Sequence, residues 1–470
     1  MDYTKQIETW LEVHREEMIA DICALCRVDS ERGEAAEGKP FGEGPAAGLA
    51  KGMEICAKNG FAPENVDNYC VDALLNDRPL QLDILCHLDV VPAGDGWTAT
   101  KPFEPLVTAD RIIGRGTADD KGPAVAVLYA MRALRELGVP LSGGVRLILG
   151  SDEECGSGDI AYYFSRKKHA PMSVSPDADF PLIFLEKGRF EESFDASFAA
   201  TQVLPRVVLA EGGVKSNVVP ARAKAVVLGM TAASAAPFVK AAEDSTGTQM
   251  TVRQAEGGVE IDVQGVQVHA ANPEGGNNAL TALISLLASL PLADCDSTAR
   301  VRSLARLFPH GDYYGRGLGV AREDEISGKL TLTMDVLRLT EEGLEGTIDC
   351  RTCCAANEEN TADVANAKLR AEGLHPQVVP MTPAHYVPKD SPLVTSLLSS
   401  VEKYTGRKEE PLAIGGGTYV HEIENGVACG CADPAVDNHM HGPDEFVLID
   451  QLMMSAKIYA DAIIRLCGEK

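Results

Sequence analysis

The chain has 470 residues, more than one hydrophobic core usually serves, so two domains are expected. Acids outnumber bases 69 to 43, and a net charge of -26 with no local Lys/Arg cluster excludes nucleic acid and anionic lipid surfaces as partners. No apolar run approaches the roughly 20 residues of a transmembrane helix, and Met1 to Arg15 is charged rather than signal-like, so a cytoplasmic location is expected.

In chain order, an amphipathic helix is predicted over 7–26. It carries the first of two Cys-x-x-Cys pairs, Cys23/Cys26 and Cys350/Cys353. The helical spacing of Ile19, Ile22, Cys23 and Cys26 marks a core face, and the second pair brackets Arg351 in strand texture, so neither is read as a zinc site. Thirteen cysteines, an odd number scattered through apolar stretches, fit reduced buried thiols. A strand over 82–91 presents His87 and Asp89, which point the same way because strand residues alternate faces. The pair suits a metal-ligating histidine and the acid that orients it; an ordinary satisfied polar pair has the same spacing. A strand over 111–115 then runs into a glycine-bounded turn, Gly116 to Gly122. Pro123 stands where a first helical turn tolerates it, and a helix follows over 124–137. Further strands are predicted over 145–149 and 181–185.

Strands alternating with helices imply an α/β domain with a central, mostly parallel sheet flanked by helices. From about 190 the texture changes to strands over 206–210, 224–230 and 330–336 separated by a helix over 278–290. This is expected to be an inserted α+β domain over 191–383. The α/β texture then returns, with helices over 393–404 and 450–467 and a glycine run at Gly415 to Gly417. Residues 1–190 and 384–470 would together form the catalytic domain.

Open α/β sheets place their sites beyond the carboxyl ends of the strands. Asp119 and Asp120, Asp152 to Glu154, Asp177, and the histidines His439 and His441 all lie near such ends or in loops. Any one acidic segment is ordinarily a solvated face. Gathered together, so many carboxylates repel one another unless cations neutralise them. Two histidines with several carboxylates suit zinc or manganese better than calcium or magnesium. A two-metal site needs a bridging carboxylate, terminal ligands on each side, and a free carboxylate to take a proton from the attacking water.

His87-Leu-Asp89, Gly114-Arg-Gly-Thr-Ala-Asp-Asp-Lys-Gly122, Ser151-Asp-Glu-Glu-Cys155, Ser175-Pro-Asp177 and His441-Gly-Pro-Asp-Glu445 resemble, in order and spacing, the motifs of one metallopeptidase family. This is the co-catalytic dizinc family of carboxypeptidase G, aminoacylases, succinyl-diaminopimelate desuccinylase and the PepV-type dipeptidases. The resemblance implies two divalent metal ions, zinc or alternatively manganese. His87 and Asp177 would hold one, Glu154 and His441 the other, and Asp119 would bridge them. It selects Asp119 over Asp120 and His441 over His439, and implies a cis Asp119–Asp120 peptide. Asp89 would orient His87, and Glu153 would be the base that activates a metal-bridging water.

The long insertion resembles the lid of the PepV-type dipeptidases, which implies a monomer. Asn217, His269, Arg351 and the run Gly415, Gly416 and Gly417 match its substrate-binding positions. Physically, His269 can donate to an oxyanion, and Arg351 with the glycine amides can receive a substrate carboxylate. A core histidine, a surface ion pair and a tight turn are the structural alternatives. The expected function is hydrolysis of unblocked dipeptides, the alternative being deacylation of N-acyl amino acids or succinyl-diaminopimelate at the same metal centre.

Overall fold

Seven consecutive buried residues make Gly144–Gly150 the interior strand of the largest sheet, since only a strand covered on both faces can be apolar throughout. In this computed structural model, which describes residues 3–469, seven of the sheet's nine strands run in the order Glu64–Val66, Cys70–Leu74, Gly144–Gly150, Leu80–His87, Met172–Ser175, Gly426–Ala428, Ile183–Glu186. Leu80–His87 pairs in parallel with Gly144–Gly150 and Met172–Ser175, and Gly426–Ala428 joins Met172–Ser175 the same way. The pairings outside these are antiparallel at Cys70–Leu74, Glu64–Val66 and Ile183–Glu186. The expected α/β architecture is present, but the sheet is mixed rather than mostly parallel, with parallel pairing confined to its centre.

Helices Lys121–Glu136 and Ile449–Cys467 pack on each other and on Leu80–His87. Lys121–Glu136 buries Val125, Leu128, Met131 and Leu134 among others, and Pro123 falls in its first turn, where no helical hydrogen bond is lost. The single helix expected over 7–26 is two, Thr4–Val13 and Arg15–Cys26. His14 breaks it: its backbone leaves helical geometry (φ -99°, ψ 10°), its imidazole Nδ1 bonds the Trp10 carbonyl at 2.7 Å, and its ring stacks on Trp10 at 3.8 Å. Apolar periodicity runs straight through this point and carries no sign of it. All thirteen cysteines are free thiols; Cys23, Cys26, Cys350 and Cys353 are buried in core positions.

By backbone contacts the chain forms two units: residues up to Leu185 with Tyr386–Ala413 and the segment from Gly417 onward, and Glu186–His385 with Ile414–Gly416. The three residues Ile414–Gly416 leave the expected 384–470 segment for the second unit. They are tied to it by hydrogen bonds from Lys187 N–H to the Ile414 carbonyl at 2.8 Å and from Arg351 to the Gly415 carbonyl at 2.6 Å.

The second unit is an eight-stranded sheet in the order Gln249–Ala255, Gly258–Gln264, Arg222–Leu228, Arg206–Gly212, Thr331–Leu339, Gly343–Thr352, Gly188–Ser197, His375–Gln377. Helix Ala279–Ser289, capped by the Asn278 side chain, buries its leucines against one face. Leu332, Met334, Ile348, Cys350 and Phe190 belong to that core. By strand alternation Thr331, Thr333, Asp349, Arg351, Arg189 and Glu191 lie on the other face. No helix among the described residues is long and apolar enough to cross a membrane.

Candidate metal centre

Three parallel strands of the first unit end on the same side. Leu80–His87 closes with His87, Gly144–Gly150 leads to the short turn Glu153–Cys155, and Met172–Ser175 stops two residues before Asp177. An antiparallel pair completes the ring: Arg111–Ile113 bonds Phe446–Leu448, drawing the loop of Asp119 beside the loop of His441. Asp119 lies between the two histidines. Its Oδ1 is 2.8 Å from His87 Nε2 and its Oδ2 is 2.8 Å from His441 Nε2. Asp177 stands 3.7 Å from His87 Nε2, and Glu154 stands 3.4 Å from His441 Nε2. Two groups of candidate donors result, His87–Asp119–Asp177 and Asp119–Glu154–His441, each with donor atoms within 4.8 Å of one another and Asp119 common to both. The Asp119–Asp120 peptide is cis. Asp120 turns elsewhere, accepting the His87 backbone N–H at 3.1 Å, and His439 packs edge-on against Phe446 at 5.8 Å.

The crowding of charge is visible in the protonation of the site. Burial and the charge of Asp119 push Asp177 up to about 7. Burial, with Asp177, Asp119 and Glu154 nearby and His87 opposing, lifts Glu153 well above the carboxylate range. Asp119 resists burial because hydrogen bonds from His441 and His87 hold it below that range. Hydrogen bonds to Asp119 and Glu154 raise His441 to about 10. At neutral pH the His441 imidazole therefore carries a proton, which a metal bound there would have to displace. Zinc added to metal-free protein in weak buffer at pH 7 should release about one or more protons per chain, and affinity should strengthen as pH rises toward 10. An indicator dye reads the release; zinc uptake without it would contradict this account of the histidines.

Carboxylates outside the donor groups fix the loops that carry them. Asp89 does not share a strand face with His87, because the strand ends at His87. The His87 ring is instead held by the Asp89 carbonyl, which accepts from Nδ1 at 3.0 Å, while the Asp89 carboxylate lies 3.5 Å from Nδ1. That carboxylate accepts the backbone N–H groups of Glu153 and Glu154, each at 3.2 Å. Asp159 accepts from Ser151 and Asp152 N–H at 2.5 and 3.0 Å, and Glu445 accepts from the N–H groups of Gly116, Ala118 and Asp119 and from Arg115. Sequence reasoning gave Asp159 and Glu445 no role. Glu445 had a signal, since it closes the His441 motif; Asp159 is an isolated acid in a helical first turn and had none.

In the second unit, Val218–Val219 pairs with Val268–His269, and the Asn217 carbonyl accepts the Ala270 N–H at 2.9 Å, which sets Asn217 beside His269. The Ala271 N–H donates to His269 Nδ1 at 3.1 Å, so the ring proton sits on Nε2. Partial burial, then Arg351 and Arg189, hold His269 below the usual histidine range, in its neutral form. Arg351 differs from expectation. Its Nε and Nη2 donate to Asp349 at 2.7 and 2.8 Å and its Nη1 to the Gly415 carbonyl at 2.6 Å, so the side-on fork is already filled. Of five guanidinium N–H groups, one on each Nη remains. Gly415 contributes a carbonyl there, and a Cβ on it would meet the Ala271 Cβ at 2.6 Å. Gly416 lies in the same segment, and Gly417 belongs to the first unit.

The sequence profile described as Peptidase family M20/M25/M40 matches residues 84–465. The chain belongs to this peptidase family. The M20/M25/M40 peptidase is therefore a hydrolase, with the α/β fold and inserted unit just described. It is 34% identical over 458 residues to a Bacillus subtilis (strain 168) protein named "Putative dipeptidase YtjP", covering 96% of this chain and 97% of that one. A Staphylococcus aureus (strain MRSA252) relative of the same description is 32% identical over 472 residues, covering 98% and 99%. Among solved structures, human carnosine dipeptidase 1 superposes with a TM-score of 0.59 at 13% identity, covering 99% of each chain. The Saccharomyces cerevisiae di-peptidase Dug1p gives 0.58 at 12%, covering 98% of each. At such identity these two speak for the fold of this peptidase alone.

Proposed function

We propose that this peptidase is a metal-dependent dipeptidase acting on unblocked dipeptides. The observation that carries the proposal is Asp119, with one carboxylate oxygen toward each of two histidines and a further acid on each side. Imidazole nitrogen and carboxylate oxygen suit zinc or manganese, and a crowd of buried acids with Asp177 raised to about 7 fits a site built for cations. His87 and Asp177 would hold one divalent ion and Glu154 and His441 the other, with Asp119 shared. Bound there, the ions would supply Lewis-acid polarisation of the scissile carbonyl and make water acidic enough to attack near neutral pH.

The remaining steps belong to the chain's own groups. Glu153, outside both donor groups, takes the proton of the attacking water on its carboxylate and passes it to the leaving amine. Asp89 holds the Glu153 and Glu154 amides, and so fixes where that carboxylate stands. His269, neutral with its proton on Nε2, is the right tautomer to donate to the oxyanion that forms on the substrate carbonyl. The free N–H groups of Arg351 are suited to the substrate's terminal carboxylate. The names of the Bacillus subtilis and Staphylococcus aureus relatives support dipeptides as substrates.

The test is a metal-stripped enzyme reloaded with zinc or manganese and offered Ala-Ala, N-acetyl-Ala-Ala and a tetrapeptide. The free dipeptide should be cleaved at least about 100-fold faster than the N-acetyl compound, because Asp119 and Glu153 would pair its charged amine and a site built for that charge rejects a ligand lacking it; a lid of fixed size would exclude the tetrapeptide. Faster cleavage of the N-acetyl compound would replace the assignment with an N-acyl amidohydrolase. Equal cleavage of the tetrapeptide would remove the size limit.

A further inference from the structure

We propose that Arg189 is a second anion receptor beside Arg351, and that it makes dipeptides ending in Asp or Glu preferred substrates. Strands Gly188–Ser197 and Gly343–Thr352 are antiparallel, and Arg189 is the direct partner of Arg351. Directly opposed residues share a face, with Cβ atoms roughly 4.5–5.5 Å apart, and like charges so placed repel. An anion placed between them would be attracted by both. Arg351 has one in Asp349, which binds it through two hydrogen bonds in the protein interior.

Arg189 has none. Its side chain is exposed, and among the described residues its guanidinium makes no hydrogen bond or ion pair. Glu191, the acid two positions along on the same face, is paired in register with Asp349 and does not reach it. The backbone beneath Arg189 is nevertheless fixed on both sides. Its N–H donates to the Thr382 carbonyl at 2.9 Å and its carbonyl accepts from the Thr382 N–H at 2.8 Å, while the opposite edge pairs with Arg351. The backbone is closely packed at the preceding Gly188, where a Cβ would meet Thr352 Oγ1 and the Thr382 carbonyl at 2.4 Å. The positive charges of both arginines act on the His269 ring, which places the three groups in one electrostatic neighbourhood.

An unpaired guanidinium on a fixed base, next to one whose charge is compensated, is arranged to receive a ligand anion. Resting on the assignment of Arg351 to the substrate's terminal carboxylate, the anion nearest to it is the side-chain carboxylate of that same C-terminal residue. Asp and Glu carry a second carboxylate on a short tether; Asn and Gln have the same shape without the charge.

The experiment compares Ala-Glu with Ala-Gln, and Ala-Asp with Ala-Asn, on the zinc-loaded enzyme. The parent should show kcat/KM about tenfold or more higher for the acidic member, as expected for a charge-assisted hydrogen bond. Arg189→Met should bring that ratio near one, with the change falling in KM rather than kcat, and Arg189→Lys should retain part of it. A parent ratio near one, or a ratio unchanged in Arg189→Met, overturns the proposal. If the parent cleaves neither these peptides nor Ala-Ala, the dipeptidase assignment fails, and calorimetric binding of Ala-Glu against Ala-Gln decides Arg189 on its own. A preference lost in Arg189→Met supports the receptor, and equal affinities overturn it.

Discussion

Glu153→Ala is expected to lower kcat on a free dipeptide by about 10²- to 10⁴-fold while both metals stay bound. Glu153 belongs to neither donor group, so its loss removes no ligand. The turn it stands on is held by backbone N–H bonds to Asp89, which the substitution does not touch. Substrate affinity should move little, because proton transfer is needed only in the transition state. Glu153→Gln keeps the shape and cannot take the proton, so it should match the alanine variant. A base works when ionised, and burial lifts this carboxyl above the range of an exposed Glu. The acid limb of the parent's pH profile should flatten in Glu153→Gln. Parent-like turnover would place the base elsewhere, and metal loss measured by elemental analysis would make Glu153 a ligand.

Asp119→Ala should empty both metal sites and reduce hydrolysis to background. Asp177→Ala and His441→Ala should each weaken one site and spare the other. The contrast follows from the two oxygens of Asp119, each facing a different histidine. Removing a ligand costs more than the 10- to 100-fold in affinity typical of a residue that merely supports one, so a loss of over about 100-fold at each site is expected. The loop should keep its shape in this variant, because Glu445 still accepts the N–H groups of Gly116 and Ala118; circular dichroism checks it. Retention of one metal equivalent in Asp119→Ala would refute the shared role.

A pool of acids and histidines near strand ends was legible in the sequence, because parallel strands deliver their ends to one side; the choice of Asp119 over Asp120 and of His441 over His439 came from the family resemblance. What could not be read was how distant loops meet. Asp89 was expected to act from a strand face; the strand stops two residues earlier, at His87, and the carboxylate reaches Glu153 and Glu154 across 64 and 65 residues of sequence. The filled fork of Arg351 was in principle visible, since Asp349 is two residues away on the same strand face. Strand order was not: side-chain alternation looks the same in a parallel centre and at an antiparallel margin. The break at His14 depends on a ring bonding its own helix, which hydrophobic spacing does not record.

The carboxylates of Asp89, Asp159 and Glu445 each end on backbone N–H groups of the loops that hold the candidate ligands. These hydrogen bonds tie the loops to the protein's own acids, and Arg115 adds an ion pair to Glu445. In small zinc domains the metal's binding energy is folding energy; here hydrogen bonds from the protein's own acids would carry much of that task. Stripping the ions should leave a folded chain, and replacing one divalent ion by another becomes an exchange governed by supply.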